Sequence, residues 1–247
     1  MASLYVNGAT GADGTGGHDG TTPAKAWLTI GYAVTHMSAG DTCWVAPGTY
    51  RISSAIAPSS MASMTYLYGD VDGSHNGVAG GEVVVTNYAT SDTSAPTNCN
   101  LISLAANNWT LGRMTLMQGH AGGKAVYIDE PSHDVVLEDL AVFSRNQGIG
   151  YHNQTPTWSA ANLTVQRCRI EAMTYPINIT VGSQATGSDL DLNILISDCV
   201  VESIRALQAV RLYVYGTAVR KQGGITVRNS LVMAGGGVYG VIGFDTQ

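Results

Sequence analysis

Glu171 and Glu202 come nearest to a reactive pair. Each closes a ten-residue segment of the same pattern, 162–171 and 193–202. Hydrolysis of a glycosidic bond needs two carboxylates held about 5 Å or roughly 6.5 to 9.5 Å apart on one face. The competing reading is a pair of solvated residues just past a strand end. Asp139 and Asp198 are further carboxylates in repeated positions, but Arg167 falls between them. An interposed guanidinium pairs two acids rather than leaving one protonated as a general acid. Lys124, Arg145 and Lys221 are basic residues scattered along the chain with no acidic cluster beside them. Asp13, Asp19, Asp70 and Asp72 lie in Gly/Asp-rich loops whose oxygen chemistry suits calcium. They lack EF-hand spacing, and turn formation accounts for both loops. His18, His36, His75, His120, His133 and His152 have no metal-ligand spacing, nor do Cys43, Cys99, Cys168 and Cys199. No catalytic, metal or cofactor-binding set emerges, and no cofactor is expected. Exposed aromatics such as Trp158, in the loop 151–162, offer a stacking surface to a sugar instead.

The elements that position these residues follow from an internal repeat. Segments 108–117, 134–143, 162–171, 193–202 and 224–233 align without gaps. Apolar residues take the second, fourth and ninth places in each, and the seventh in all but the last, where Ser230 stands. Alternation marks a strand, and the extra residue after the fourth place marks a sharp bend before a second strand. Trp109, Val135, Leu163, Ile194 and Ile225 should stack as one inward ladder. A third strand per coil is expected at 125–128, 148–151, 176–179, 210–214 and 238–241. Three short parallel strands per coil make an all-β, single-stranded parallel β-helix.

The bend place carries Arg113, Asp139, Arg167, Asp198 and Asn229. At a coil spacing of about 4.8 Å this column alternates in charge, and its expected role is register, at roughly 0 to 1 kcal/mol per exposed pair. Cys168 and Cys199 share the inward seventh place on adjacent coils. Side chains in register point the same way, so two stacked free thiols are expected rather than a disulfide.

Before the first repeat the pattern changes. Leu4–Asn7 reads as a strand, a Gly/Asp-rich loop follows, and Ile30, Ala33, Val34 and Met37 recur at helical spacing up to Gly40. Residues 1–41 are therefore expected to form a cap and 42–247 the solenoid, since an open solenoid end exposes apolar side chains and strand edges. The combination Tyr5-Val6, Gly11, Asp13, Asp19-Gly20-Thr21, Pro23, Thr29-Ile30, Ala33-Val34, Gly40-Asp41-Thr42, Val45 and Pro47-Gly48-Thr49-Tyr50 is similar to the N-terminal cap of pectate-lyase-like right-handed β-helix proteins. The resemblance implies that fold. It does not select an activity, because the superfamily holds polysaccharide lyases, glycoside hydrolases, pectin esterases and phage tailspikes. Its enzyme signatures are also missing. The polygalacturonase-like motifs are reduced to Gly119-His120 and Arg169-Ile170-Glu171, and the pectin-esterase motifs to Gln208-Ala209-Val210.

A net charge of −6 with no Lys/Arg cluster argues against nucleic acid, and no apolar run is long enough for membrane insertion. The start Met1-Ala-Ser-Leu-Tyr-Val has neither a basic nor an apolar leader segment, so cytoplasmic synthesis is expected, with secretion or surface display the alternative if a leader has been removed. The last coil ends on Val238, Val241, Ile242 and Phe244 without a polar cover, which predicts contact with another subunit. These features point to a non-catalytic structural or adhesion protein, such as a phage virion component of the capsid-decoration or tail type. A homotrimer is expected by analogy with tailspikes. The alternatives are a carbohydrate-active enzyme using Glu171 and Glu202, and a glycan-binding module without turnover.

Overall fold

The computed structural model describes residues 1–89, 96–129, 132–153, 160–181, 190–205, 208–214, 221–235 and 242–246. Their strands wind into three sheets in which every ladder is parallel. The first sheet holds Ser3–Val6, Thr42–Val45, Thr65–Gly69, Trp109–Gly112, Val135–Glu138, Ala160–Gln166, Leu190–Ser197 and Lys221–Arg228. The second holds Gly48–Arg51, Val83–Thr86, Thr115–Gln118, Ala141–Ser144, Arg169–Ala172, Val200–Ser203 and Leu231–Ala234. The third holds Ile102–Leu104, Lys124–Ile128, Gln147–Asn153, Ile177–Val181, Val210–Val214 and Ile242–Thr246. Crossovers between parallel strands take the right hand. The architecture is thus a parallel β-helix with three strands per coil.

Register follows the aligned segments residue for residue. Trp109, Val135, Leu163, Ile194 and Ile225 are successive partners in the first sheet. All but the half-buried Ile225 are buried, and with Leu111, Leu137 and Val165 they fill one continuous core. Parallel strands with apolar residues facing inward at every second place leave no other arrangement that buries the whole ladder. Trp109 also anchors a loop, donating from Nε1 to the Ser59 carbonyl at 2.7 Å.

Every residue of the bend column is left-handed: Arg113, Asp139, Arg167, Asp198 and Asn229 have φ of 57°, 53°, 53°, 56° and 49°. Asp and Asn tolerate that region better than most residues, whereas Arg gains nothing locally from it. The charge ladder forms in part. Arg167 holds Asp139 through two bonds of 2.8 and 2.9 Å. Arg113 instead lies 5.7 Å over the Tyr68 ring.

In the N-terminal segment Ser3–Val6 pairs with Thr42–Val45 and is the outermost strand of the first sheet. The helix Ile30–His36 starts at Thr29, whose hydroxyl accepts from the Tyr32 amide at 3.1 Å, and it buries Ile30, Ala33 and Val34 against Leu4 and Val6. Asp13 fixes the helix start by accepting from the Leu28 and Thr29 amides at 2.8 and 3.0 Å. At the other end the sixth strand of the third sheet is Ile242–Thr246, later than the expected 238–241, and it continues the register of Val210–Val214. Residues 236–241 lie outside the described residues.

Candidate functional site

The structure separates the sequence candidates. Glu171 and Glu202 are direct partners on adjacent strands of the second sheet, so their backbones are one step of about 4.8 Å apart. Arg169 lies 3.5 Å from the Glu171 carboxylate, and Phe143 and Met233 flank the two acids in the same outward column. Glu171 also lines a shallow groove of about 390 Å³ with Tyr88, Met117, Phe143 and Arg145. The column therefore presents a salt-bridged, largely apolar surface.

Asp139 belongs to a different face. It shares Arg167 with Glu138, whose Oε1 accepts from Tyr68 Oη at 2.6 Å, while Gln166 and Arg167 donate to its Oε2 at 2.7 and 2.8 Å. Burial alone would raise the Glu138 carboxyl, but Tyr68, Gln166 and Arg167 together hold it below its ordinary value. Burial, reinforced by Glu138, pushes the Tyr68 phenol up. Gly112 makes this reach feasible, because a Cβ there would fall 2.8 Å from Tyr68 Cε1. The result is a clasp over several coils.

The acidic loops perform turn chemistry. Asp19 accepts from Thr21 N and Oγ1 at 3.0 and 2.7 Å, Asp72 from Ser74 N and Oγ at 3.0 and 2.7 Å, and buried Asp70 from the amides of His75 and Asn76. Among the described residues no three His, Cys, Asp or Glu side chains are gathered for a metal ion. Cys168 and Cys199 are buried free thiols, with Cys199 Sγ accepting from the Cys168 amide at 3.4 Å. Trp158 lies outside the described residues.

The face with the most varied chemistry is the outside of the third sheet. Inward places carry Val126, Ile149, Ile177 and Val210, so the intervening places lie on the outer side of the sheet, where Asn178 and Thr180 are nonetheless buried by their neighbours. There Tyr127, Gly150, Asn178 and Arg211 form one column, and His152, Thr180 and Tyr213 another. Lys124 crosses Gly150, where a Cβ would sit 2.6 Å from its Cδ, and places Nζ 3.9 Å from the Tyr127 ring centroid. Burial pulls the Lys124 ammonium below its ordinary pKa, opposed by Asp129. Tyr127 Oη lies 3.3 Å from His152 Nδ1. Two coils on, the Arg211 guanidinium lies 4.7 Å from the Tyr175 ring centroid and 4.8 Å from that of Tyr213. Between the two cation–aromatic groups, Asn178 donates to Gln147 Oε1 at 3.4 Å, while its own Oδ1 is buried and has no partner among the described residues. A buried acceptor left unpaired costs about 1 to 3 kcal/mol.

Sequence reading named Lys124, and His152 only as a histidine without metal spacing, but missed Tyr127, Tyr175, Arg211 and Tyr213. The signal was present. Aligning the third strands as the first two were aligned puts Tyr127, Gly150, Asn178 and Arg211 at one outward place.

Comparison with protein-family models finds no match, and neither does comparison with curated proteins. Among solved structures the chain is similar to pectin methylesterase PemA from Erwinia chrysanthemi, with 10% sequence identity, 99% of this chain and 93% of that chain covered, and a TM-score of 0.44. The β-helix itself is established by the strand pairing, independently of that likeness.

Proposed function

We propose that this chain is a β-helical adhesion protein that binds an acidic glycan along the third sheet without turning it over. The observation that carries the reading is the pair of cation–aromatic groups, Lys124 with Tyr127 and Arg211 with Tyr175 and Tyr213, on one face of a chain with net charge −6. Tyr127 and Arg211 stand three coil steps apart in one column, roughly 14 Å, a span suited to an extended oligosaccharide. Guanidinium and ammonium groups meet carboxylates, and tyrosine rings offer apolar faces to sugar C–H bonds. A rigid solenoid that displays such a face suits a subunit of a larger assembly, and a phage capsid-decoration or tail protein is the setting we propose for it.

The test is a panel of acidic and neutral polysaccharides, scored both for binding and for new reducing or unsaturated ends. Retention of acidic chains without new ends is expected. Release of ends would favour the enzymatic alternative, in which Glu171 and Glu202, one strand step apart, would supply the carboxylates.

A further inference from the structure

We propose that the outer face of the second sheet is the contact between two copies of this chain, related by a two-fold axis parallel to the solenoid axis. This surface is separate from the third-sheet face, so the proposal stands or falls independently of glycan binding. Of the large apolar side chains that are exposed, three lie here near the C-terminal coils: Val200 at 38%, Ile204 at 41% and Leu231 at 56%. Val200 and Leu231 are register partners, so together they form a stripe rather than isolated residues.

Charge identifies the occupant as a second copy. Two outward columns run along the sheet about 6.6 Å apart, the spacing of alternate residues in a strand. One contains Ala141, Arg169, Val200 and Leu231, and the other Phe143, Glu171, Glu202 and Met233. A two-fold axis midway between the columns keeps every coil level and exchanges the columns. Arg169 then faces Glu171 of the second copy, and the reverse pair forms by symmetry. Ala141 meets Phe143 and Leu231 meets Met233, an apolar contact on either side of the ion pairs. Val200 faces Glu202 of the second copy, and that carboxylate is one coil step of about 4.8 Å from Arg169. The opposite choice, an axis across the solenoid between the two Glu coils, would set Glu171 against Glu202 and is disfavoured by like-charge repulsion. Within one chain Arg169 and Glu171 are only 3.5 Å apart, with side chains 61% and 28% exposed, so the same two groups can exchange an intramolecular for an intermolecular bond.

Light scattering after size exclusion gives the mass directly. The wild-type chain of 25.8 kDa is expected at twice that mass. Leu231→Lys is expected to shift it to monomer while the thermal melt stays cooperative. Arg169→Glu sets four carboxylates at the axis and Glu171→Arg sets four guanidinium groups there, so each single variant is expected to dimerise at least about tenfold more weakly. An equimolar mixture of the two single variants restores both crossed pairs, and a mixed dimer is expected to form. A monomeric wild type, the homotrimer that the tailspike analogy suggests in place of this dimer, or a mixture no tighter than either variant alone would overturn the proposal.

Discussion

Removing the Tyr68 hydroxyl is expected to cost stability only while Glu138 can accept from it. The bond is 2.6 Å and charge-assisted, and it spans 70 residues of sequence. Hydrogen bonds to charged groups contribute about 1.5 to 3 kcal/mol. The Glu138 side chain is 16% exposed, and Gln166 and Arg167 remain to satisfy the carboxylate after the hydroxyl is lost. Together these place the loss for Tyr68→Phe at the low end, about 1 to 2 kcal/mol. A double-mutant cycle with Glu138→Gln isolates the pair, and a coupling of about 1 kcal/mol is expected near neutral pH from urea midpoints. The sign with pH is fixed by the carboxyl. Its folded-state pKa lies below the ordinary 4.5, so the stabilisation is complete above that value and is lost as pH falls through the lower folded-state value. Coupling below about 0.3 kcal/mol at neutral pH, or coupling that grows on acidification, would refute the clasp.

Gly112→Ala places a Cβ 2.8 Å from Tyr68 Cε1 and from the Glu138 carbonyl, so a loss of about 1 to 3 kcal/mol is expected in thermal melts. The same substitution in a Tyr68→Ala background should cost less, because the ring is gone. Trp109→Ala should cost about 3 to 5 kcal/mol by chemical denaturation, since it empties a fully buried site and orphans the Ser59 carbonyl. Native thiol labelling should modify Cys99 first, because Cys43, Cys168 and Cys199 are buried and burial pushes the Cys43 thiol up. Cys99→Ser should remove that fast phase.

The coils were legible wherever side-chain alternation alone determines them. Val135, Leu163 and Ile194 occupy equivalent places because their strands bury one face, and a one-residue slip would turn each outward. The two coils before residue 108 follow the same rule, but their loops differ in length from the later ones, so Thr65–Gly69 and Val83–Thr86 fell outside the repeat. That gap also hid the Tyr68 clasp. The left-handed bend was hidden for another reason: Arg113 and Arg167 are not residues that favour positive φ, and the surrounding coils impose it. The candidate site was the least visible part. Lys124, His152 and Arg211 look scattered along the chain, and only the coil period brings them to one face. Glu171 and Glu202 were placed correctly as neighbours, yet the same register that joins them also sets Arg169 and Phe143 beside them.

Calorimetric titration with an acidic oligosaccharide tests the central claim most directly, comparing the wild type with Arg211→Ala and with the double variant Glu171→Gln/Glu202→Gln. Binding on the third sheet predicts that Arg211→Ala weakens affinity at least about tenfold, the cost of one charge-assisted contact, while the double variant binds as the wild type does. Unchanged binding by Arg211→Ala together with loss in the double variant would contradict the account and move the site to the second sheet.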